Sequence, residues 1–404
     1  MINIIGLGYI GLPTALMLAA HGQKVVGTDY NSELVDHLQK GCLTFKEKGL
    51  EQLFAKAIQS GIVFTTEYET TDTYIVSVPT PYDDFTKRVD AGYIENAVQQ
   101  ILEVCLPKTT IVIESTISPG TIDRSVRPIV EKHKNKSIDL VHAPERIIPG
   151  NMVKELIYNN RTIGADKQEE GERIKTIYAS FCQGDIEVTD IRTAEMTKVV
   201  ENTFRDINIA YANELAKICR LSGLNVYEII RIANKHPRVN ILYPGPGVGG
   251  HCISVDPWFL VGDYPRLAKI IGTAREINDS MPEFVLERIY EIMVENNIED
   301  INKIGFYGLT YKENVDDIRE SPTLQILNSM EKHLAGRQVK VYDPMIQDDI
   351  TYNQYHDLDL FLNEIEMIVI LVAHDEIKEN IDKLKGKIIF DTRKVSKLKG
   401  TYYL

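Results

Sequence analysis

Residues 1–13 read MINIIGLGYIGLP, and this opening decides the fold. A β-branched run, Ile2 to Ile5, meets three glycines spaced as Gly6, Gly8 and Gly11, with Tyr9 and Ile10 between the last two, and an apolar helical stretch follows. In a strand–turn–helix unit the first glycine permits a tight turn, the second lets a pyrophosphate reach the backbone, and the third lets helix pack on strand. Asp29 ends the next run, KVVGTD, at the distance where a carboxylate takes the adenosine ribose hydroxyls. The same charge repels a 2′-phosphate, so NAD rather than NADP is the cofactor expected.

Outward from this stretch, TYIVSVP, TTIVIEST and IDLVHAPE continue the strand series, with helical patterns near 9–21, 31–40, 90–103 and 119–133. Such alternation predicts parallel βαβ units. The middle differs: from Thr193 to Ser222 there is neither proline nor glycine, and Gly223 supplies a stop. One helix of roughly 45 Å is expected, longer than a compact domain needs, hence an interdomain spine and a dimer surface. Further on, KIGFYGLTY, RQVKVYDP, EMIVILVA and KIIFDTRK resume the βαβ pattern. The predicted class is α/β, with an N-terminal Rossmann-type NAD domain over 1–187, a central helical domain over 188–294 built on the long helix, and a C-terminal Rossmann-like domain over 295–404.

A chain of 404 residues supports two or three cores. Its 44% apolar and 25% charged content is that of a soluble globular protein. A net charge of −13 argues against general nucleic-acid or membrane-surface binding, so an anionic ligand needs a local cationic pocket. The longest nearly apolar run, Tyr9 to Ala20, is too short to span a bilayer, and no secretory leader pattern opens the chain, so a cytoplasmic location is expected. The cysteines (Cys42, Cys105, Cys182, Cys219 and Cys252) are scattered with no CxxC pair. Reduced thiols fit that spacing; a zinc site or a disulfide framework does not.

Residues 245–257, GPGVGGHCISVDP, place Cys252 at the end of a loop with Gly245, Pro246, Gly247, Gly249 and Gly250, and four residues before Asp256. Little side-chain bulk lets an anion approach the backbone, and a thiol beside such a loop is a candidate nucleophile because the thiolate is the attacking form. The competing reading is a buried structural cysteine at a Gly/Pro turn. His251 reads as a loop residue first and a base second. Pro79 and Thr80 of VPTP, and Ser115 and Thr116 of EST, lie at strand ends, where open α/β sheets hold ligands; their hydroxyls either hold nicotinamide ribose, a water or substrate, or cap loops. Lys198 and Asn202 share a helix face, with Arg205 a turn further, and an ammonium and an amide there suit an oxyanion formed during hydride removal. Arg238 of HPRVN, with Lys312 and Arg319 of YKENVDDIRESP, supplies the cationic pocket a diphosphate needs, although each alone reads as a surface charge.

Taken in order, GLGYIGLP, VPTP, EST, APER, EMTKVVENTFRD, GPGVGGHCISVDP and YKENVDDIRESP resemble the UDP-glucose/UDP-mannuronate dehydrogenase superfamily over essentially the whole chain. KHPRVNI, GPGVGGHC and VDPWF are most similar to its UDP-N-acetyl-D-mannosamine 6-dehydrogenase group, while UDP-N-acetylglucosamine 6-dehydrogenases share GPGxGGHC. The resemblance implies a C-terminal UDP-binding domain and a four-electron oxidation at the sugar C6 that consumes two NAD molecules. Cys252 would carry first a thiohemiacetal and then a thioester, and the product would feed surface or capsular polysaccharide synthesis. Lys198 and Asn202 match the oxyanion positions, Asp256 the acid that orients Lys198 or water, and Glu145 the residue that activates a hydrolytic water placed by Thr116. The UDP-N-acetylhexosamine site would draw on Arg146, Lys154, Glu155, Leu156, Lys198, Asn202, Arg205, Pro246, Gly247, Gly249, Gly250, Tyr311 and Lys312. Arg319 would bridge to the NAD pyrophosphate, and Arg238 would reach the partner's active site in a homodimer formed through the long helix.

Other readings stay open at this point. UDP-N-acetylglucosamine or UDP-glucose are alternative substrates, and spacing does not select the C2 epimer. A single-step hydroxyacid dehydrogenase shares the nucleotide domain and a lysine–asparagine pair but needs no thiol. A catalytically silent NAD-binding sensor or scaffold is a further class, against which the joint presence of Cys252, Lys198, Asn202 and Asp256 speaks.

Overall fold

In a computed structural model, which describes residues 1–250, 252–334 and 338–404, the chain forms two compact units, Met1–Glu201 and Asn202–Leu404. The first is built on eight strands: β1 Ile2–Ile5, β2 Val25–Thr28, β3 Val63–Thr65, β4 Thr73–Val76, β5 Lys108–Ile113, β6 Ser137–His142, β7 Arg161–Ala165 and β8 Ile186–Thr189. They lie in the order β3-β2-β1-β4-β5-β6-β7-β8. Every residue of β1, β2 and β4 is buried, as expected of parallel strands covered by helices on both faces. The order reverses between β1 and β4, and the crevice outside their C-terminal ends is where such sheets hold ligands.

Five of these strands coincide with the runs expected from sequence. β3, β7 and β8 were not among them, because β3 is three residues at a sheet edge, β7 opens on Arg161 and β8 carries Glu187. The five expected strands pair in parallel, whereas β6 and the unexpected β7 run antiparallel. The helix expected over 119–133 is a π-turn, Ile122–Val126, running into an α-helix, Arg127–Glu131. Pro128, with no N–H to donate, sits where the winding changes.

The long helix spans Ile191–Ser222 and therefore contains the boundary between the units. It starts two residues earlier than its proline- and glycine-free stretch suggested, because Asp190 accepts from Thr193 N at 2.9 Å and caps it. The second unit holds β9 Ile304–Tyr307, β10 Lys340–Tyr342, β11 Gln354–Tyr355, β12 Met367–Ile370, β13 Ile388–Asp391 and β14 Tyr402–Tyr403, all parallel, in the order β11-β10-β9-β12-β13-β14. The run KIGFYGLTY was read as one strand, but β9 stops at Tyr307, where Gly308 turns the chain at φ +98. Among the described residues no helix is long and apolar enough to cross a membrane.

Candidate active site

In the first unit the glycine turn is shaped by close approach. Gly6 has φ +92, and a Cβ there would stand 2.4 Å from Ser77 O; a Cβ on Gly11 would meet Gly6 O at 1.9 Å. Gly8 has nothing within 4 Å of an added Cβ, so its backbone faces open space. The helix Gly11–Ala20 begins without a side-chain cap on Ile10, leaving N–H groups for an anion. Asp29 is half-buried and accepts from Leu7 N at 2.8 Å and Asn31 N at 2.9 Å, which fixes its carboxylate just past the end of β2. An uncapped helix start, an open glycine and a fixed acid together fit a dinucleotide. Tyr9 stacks on Phe45, ring centroids 4.4 Å apart, so its ring packs within this unit.

The two strand-end segments meet, as their position required. Thr80 Oγ1 donates to Thr116 O at 2.7 Å and Ser115 Oγ to Val78 O at 2.7 Å, so these hydroxyls tie β4 to β5, while Pro79 is exposed and Thr116 half-buried. Glu145 is buried after β6, with Oε2 on Arg161 Nη2 at 2.5 Å. Arg146 is engaged by protein: Nη2 bonds Thr162 Oγ1 at 2.7 Å and Glu201 Oε1 at 2.7 Å. On the short helix Met152–Tyr158, Lys154 is exposed, Glu155 accepts from Ile148 N at 2.7 Å, and Leu156 is in the core. Lys198 is buried on the long helix. Near it, burial first and the Lys198 charge with it push the His142 imidazole down to about 3, against its bond to Ile113 O; this histidine is neutral.

In the second unit, Asn202 Nδ2 donates to Asp256 Oδ2 at 2.6 Å, and both side chains are buried. Asp256 opens the helix Asp256–Asp263, and the Cys252 carbonyl receives its N–H at 2.8 Å together with that of Val255, the residue before the helix, at 3.2 Å. Cys252 itself is exposed, which removes the buried structural reading. His251 lies outside the described residues. The glycine loop is packed on one side by residues 311–322: Gly250 N donates to Arg319 O at 2.9 Å, and a Cβ on Gly249 would lie 2.5 Å from Glu320 O and 2.6 Å from Tyr311 Cβ. These glycines are thus needed for chain-to-chain approach, a reason the ligand argument did not supply. Pro246 is buried, Gly247 sits against Pro322 and Pro282, and Asn213 of the long helix fixes the loop start by accepting from Gly245 N at 2.9 Å.

Tyr311 and Lys312 are half-buried, Arg205 and Arg238 are exposed, and the Arg319 guanidinium grips Asp317 at 2.6 and 2.9 Å. Sequence reasoning missed Arg393, whose Nη1 would be 2.6 Å from a Cβ on Gly245 and whose pKa is lowered by burial against the pull of Glu313, Tyr227 and Asp391. The signal was available: Arg393 follows the end of β13, the ligand side of a parallel sheet. Among the described residues no cluster of three or more His, Cys, Asp or Glu side chains is placed to hold a metal.

The chain is 46% identical over 405 residues to a UDP-N-acetyl-D-mannosamine dehydrogenase of Methanocaldococcus jannaschii, covering 98% of this chain and 92% of that protein. An NDP-N-acetyl-D-galactosaminuronic acid dehydrogenase of Ralstonia nicotianae is 40% identical, with 97% and 95% covered. Among solved structures, the UDP-N-acetyl-mannosamine dehydrogenase of Staphylococcus aureus superposes with TM-score 0.88 at 42% identity, covering 100% and 97% of the two chains. The sequence further matches the NAD binding domain over residues 1–182, the central domain over 192–280 and the UDP binding domain over 305–397 of one family. With all three domains present in order, the chain belongs to the UDP-glucose/GDP-mannose dehydrogenase family.

Proposed function

We propose that this chain oxidises UDP-N-acetyl-D-mannosamine at C6 to the uronate, with two NAD molecules per sugar and a thioester on Cys252. The turn at Gly6, Gly8 and Gly11 and the Asp29 carboxylate would hold NAD, which would supply the hydride acceptor for each oxidation. The rest is assigned to side chains. Cys252 adds to the C6 aldehyde and retains it, so that a difficult oxidation is divided and the aldehyde does not escape. Lys198 and Asn202 stabilise the oxyanion. Asp256 fixes the Asn202 amide, and Glu145 takes a proton from the water that cleaves the thioester. The carrying observation is the Asn202–Asp256 bond at 2.6 Å beside a helix start received by the Cys252 carbonyl, a buried frame around an exposed thiol. Substrate choice is supported by the similarity to UDP-N-acetyl-D-mannosamine dehydrogenases over nearly the full length.

We also infer a homodimer through the long helix. Val200, Phe204, Tyr211, Ile218 and Leu221 recur at helical spacing with Phe204 66% and Leu221 92% exposed, an apolar stripe that water disfavours. The domain limits 1–187, 188–294 and 295–404, the cytoplasmic location and the supply of an acidic sugar to a surface polysaccharide belong to the same reading. A spectrophotometric screen of UDP-N-acetylmannosamine, UDP-N-acetylglucosamine and UDP-glucose tests it. About two NADH per sugar with the first substrate alone is expected; about one would sink the thioester scheme, and preference for another sugar would reassign the substrate. Cys252→Ser is expected to stop acid release; a fully active variant would favour single-step oxidation.

A further inference from the structure

Behind Glu145 lies a charge arrangement that the two oxidations do not require. Glu145 follows β6 and Glu114 follows β5; both carboxyls are buried, and one guanidinium, Arg161 at the head of β7, faces both. Arg161 Nη2 is 2.5 Å from Glu145 Oε2, whereas Nη1 is 3.8 Å from Glu114 Oε1. The guanidinium lies over the Tyr178 ring at 4.5 Å and near Phe181 at 5.5 Å, which holds it in plane. Glu114 Oε1 bonds the Tyr178 hydroxyl at 3.1 Å and the Thr14 hydroxyl at 3.3 Å. Glu114 Oε2 and Arg161 Nη1 have no hydrogen-bond partner among the described residues.

Two carboxylates around one cation would leave a net negative charge in a low-dielectric interior, and neutralising one carboxyl costs less. The distances say which one: the carboxyl at 2.5 Å keeps the charge and the one at 3.8 Å keeps the proton. Burial first, and the Glu145 charge second, push Glu114 up to about 8, with Arg161, Tyr178 and Thr14 opposing. Tyr178 is itself held well above its ordinary range by burial, so it stays a donor. Cys182 also faces Arg161.

We propose that Glu114 is a positioning residue for thioester hydrolysis: as a neutral acid it braces Arg161 without drawing it from Glu145, so Glu145 remains a fixed, ionised base. This rests on the reading of Glu145 and Cys252 given above. In the step served, the water oxygen bonds to the thioester carbonyl carbon, the C–S bond breaks with its electron pair on the Cys252 sulfur, and Glu145 receives the water proton. When Glu114 loses its own proton it competes for Arg161, and the Glu145 pair loosens.

The test uses the full-length enzyme with UDP-N-acetylmannosamine and NAD, following NADH by stopped flow and the Cys252 adduct by rapid-quench intact mass across the pH range. Wild-type hydrolysis is expected to decline above pH about 8, and Glu114→Gln to match wild type at neutral pH but lack that decline. Glu114→Ala is expected to accumulate thioester, with hydrolysis slowed about 100-fold while the first NADH and both KM values hold. A Glu114→Gln enzyme that declines like wild type, or is as slow at neutral pH as Glu114→Ala, overturns the proposal. If Glu145→Gln shows no Cys252 adduct at all, the thioester reading falls and takes this inference with it; adducts that hydrolyse without regard to Glu114 overturn this inference alone.

Discussion

Two turns in the molecule are built to one plan and differ in use. Gly6 follows β1 and Gly308 follows β9, at φ +92 and +98. Each donates its N–H to the end of the neighbouring strand, Gly6 to Thr28 O and Gly308 to Tyr342 O, both at 2.8 Å. An aspartate one residue beyond that strand closes each turn, Asp29 on Leu7 N at 2.8 Å and Asp343 on Leu309 N at 2.6 Å. The plans part after this. In the first unit the helix starts at Gly11 and Asp29 stays half-buried. In the second, residues 309–321 intervene before the helix Pro322–Leu334, and Asp343 is 1% exposed, bonded also to Thr310 N at 3.1 Å and His374 Nε2 at 3.2 Å. An acid that is open to a ribose in one turn is a sealed clamp in the other. Strand order and turn geometry therefore do not make a dinucleotide site; the distance to the next helix and the exposure of the acid do.

The comparison breaks most visibly at the acids. Asp343→Ala strands two buried N–H groups and His374, so a loss of about 4 kcal/mol in unfolding free energy is expected, with NAD affinity unchanged. Asp29→Ala should do the reverse in NAD titration and urea unfolding, and similar responses from both would erase the distinction. Next come the glycines. A Cβ on Gly308 would stand 2.4 Å from Val372 Cβ at positive φ, which is expected to cost about 3 kcal/mol, whereas Gly8→Ala, with nothing within 4 Å, should leave the melting temperature alone and weaken NAD about tenfold.

Acidity sharpens the contrast. Glu114 is raised from 4.5 to about 8 in the fold, so the stability it contributes is full below the lower value and lost as pH rises toward the upper one. Thermal unfolding of wild type and Glu114→Gln should therefore agree better at low pH than at pH 8, where the variant gains. In Asp343 burial pulls upward, but His374 and the N–H groups outweigh it and hold the carboxyl below 3.8, so its stabilisation is present above that value and fails as pH falls. Asp343→Asn is expected to lose its deficit in acid; a deficit independent of pH would contradict the ionised clamp. Smallest are the helix caps that follow the second strand of one sheet and the third of the other: Asn31→Ala and Asp357→Ala should each cost about 1 kcal/mol, read by chemical denaturation.

The Gly6–Asp29 site was legible because its parts are local: turn, helix start and acid lie within thirty residues of chain, and periodicity marks each. Asn202 and Asp256 were legible as residue types, but their contact bridges 54 residues and belongs to the packing of two helices. The Glu114 network was invisible for a stronger version of that reason. Its partners Thr14 and Tyr178 are 100 and 64 residues away, and Arg161 opens β7 with a charged side chain, whereas the recognised strands are marked by β-branched runs. Arg393 was overlooked although it lies in the run KIIFDTRK, because that whole run reads as strand, whereas β13 stops at Asp391 and leaves Arg393 just past the strand's ligand end.

The long helix has a consequence for anyone who would cut or recombine this chain. The boundary between Glu201 and Asn202 is a mid-helix peptide bond, not a linker. Severing it leaves about four carbonyls and four N–H groups without intrahelical partners on the two new ends, so a two-fragment expression or a chimera joined there starts with frayed termini. Crossovers between relatives are better placed at the Gly184 turn before β8, or at the Asn296–Asn297 turn that ends the helix Met281–Glu295. In such chimeras the helix is inherited whole, and with it Lys198 and Asn202 in one register.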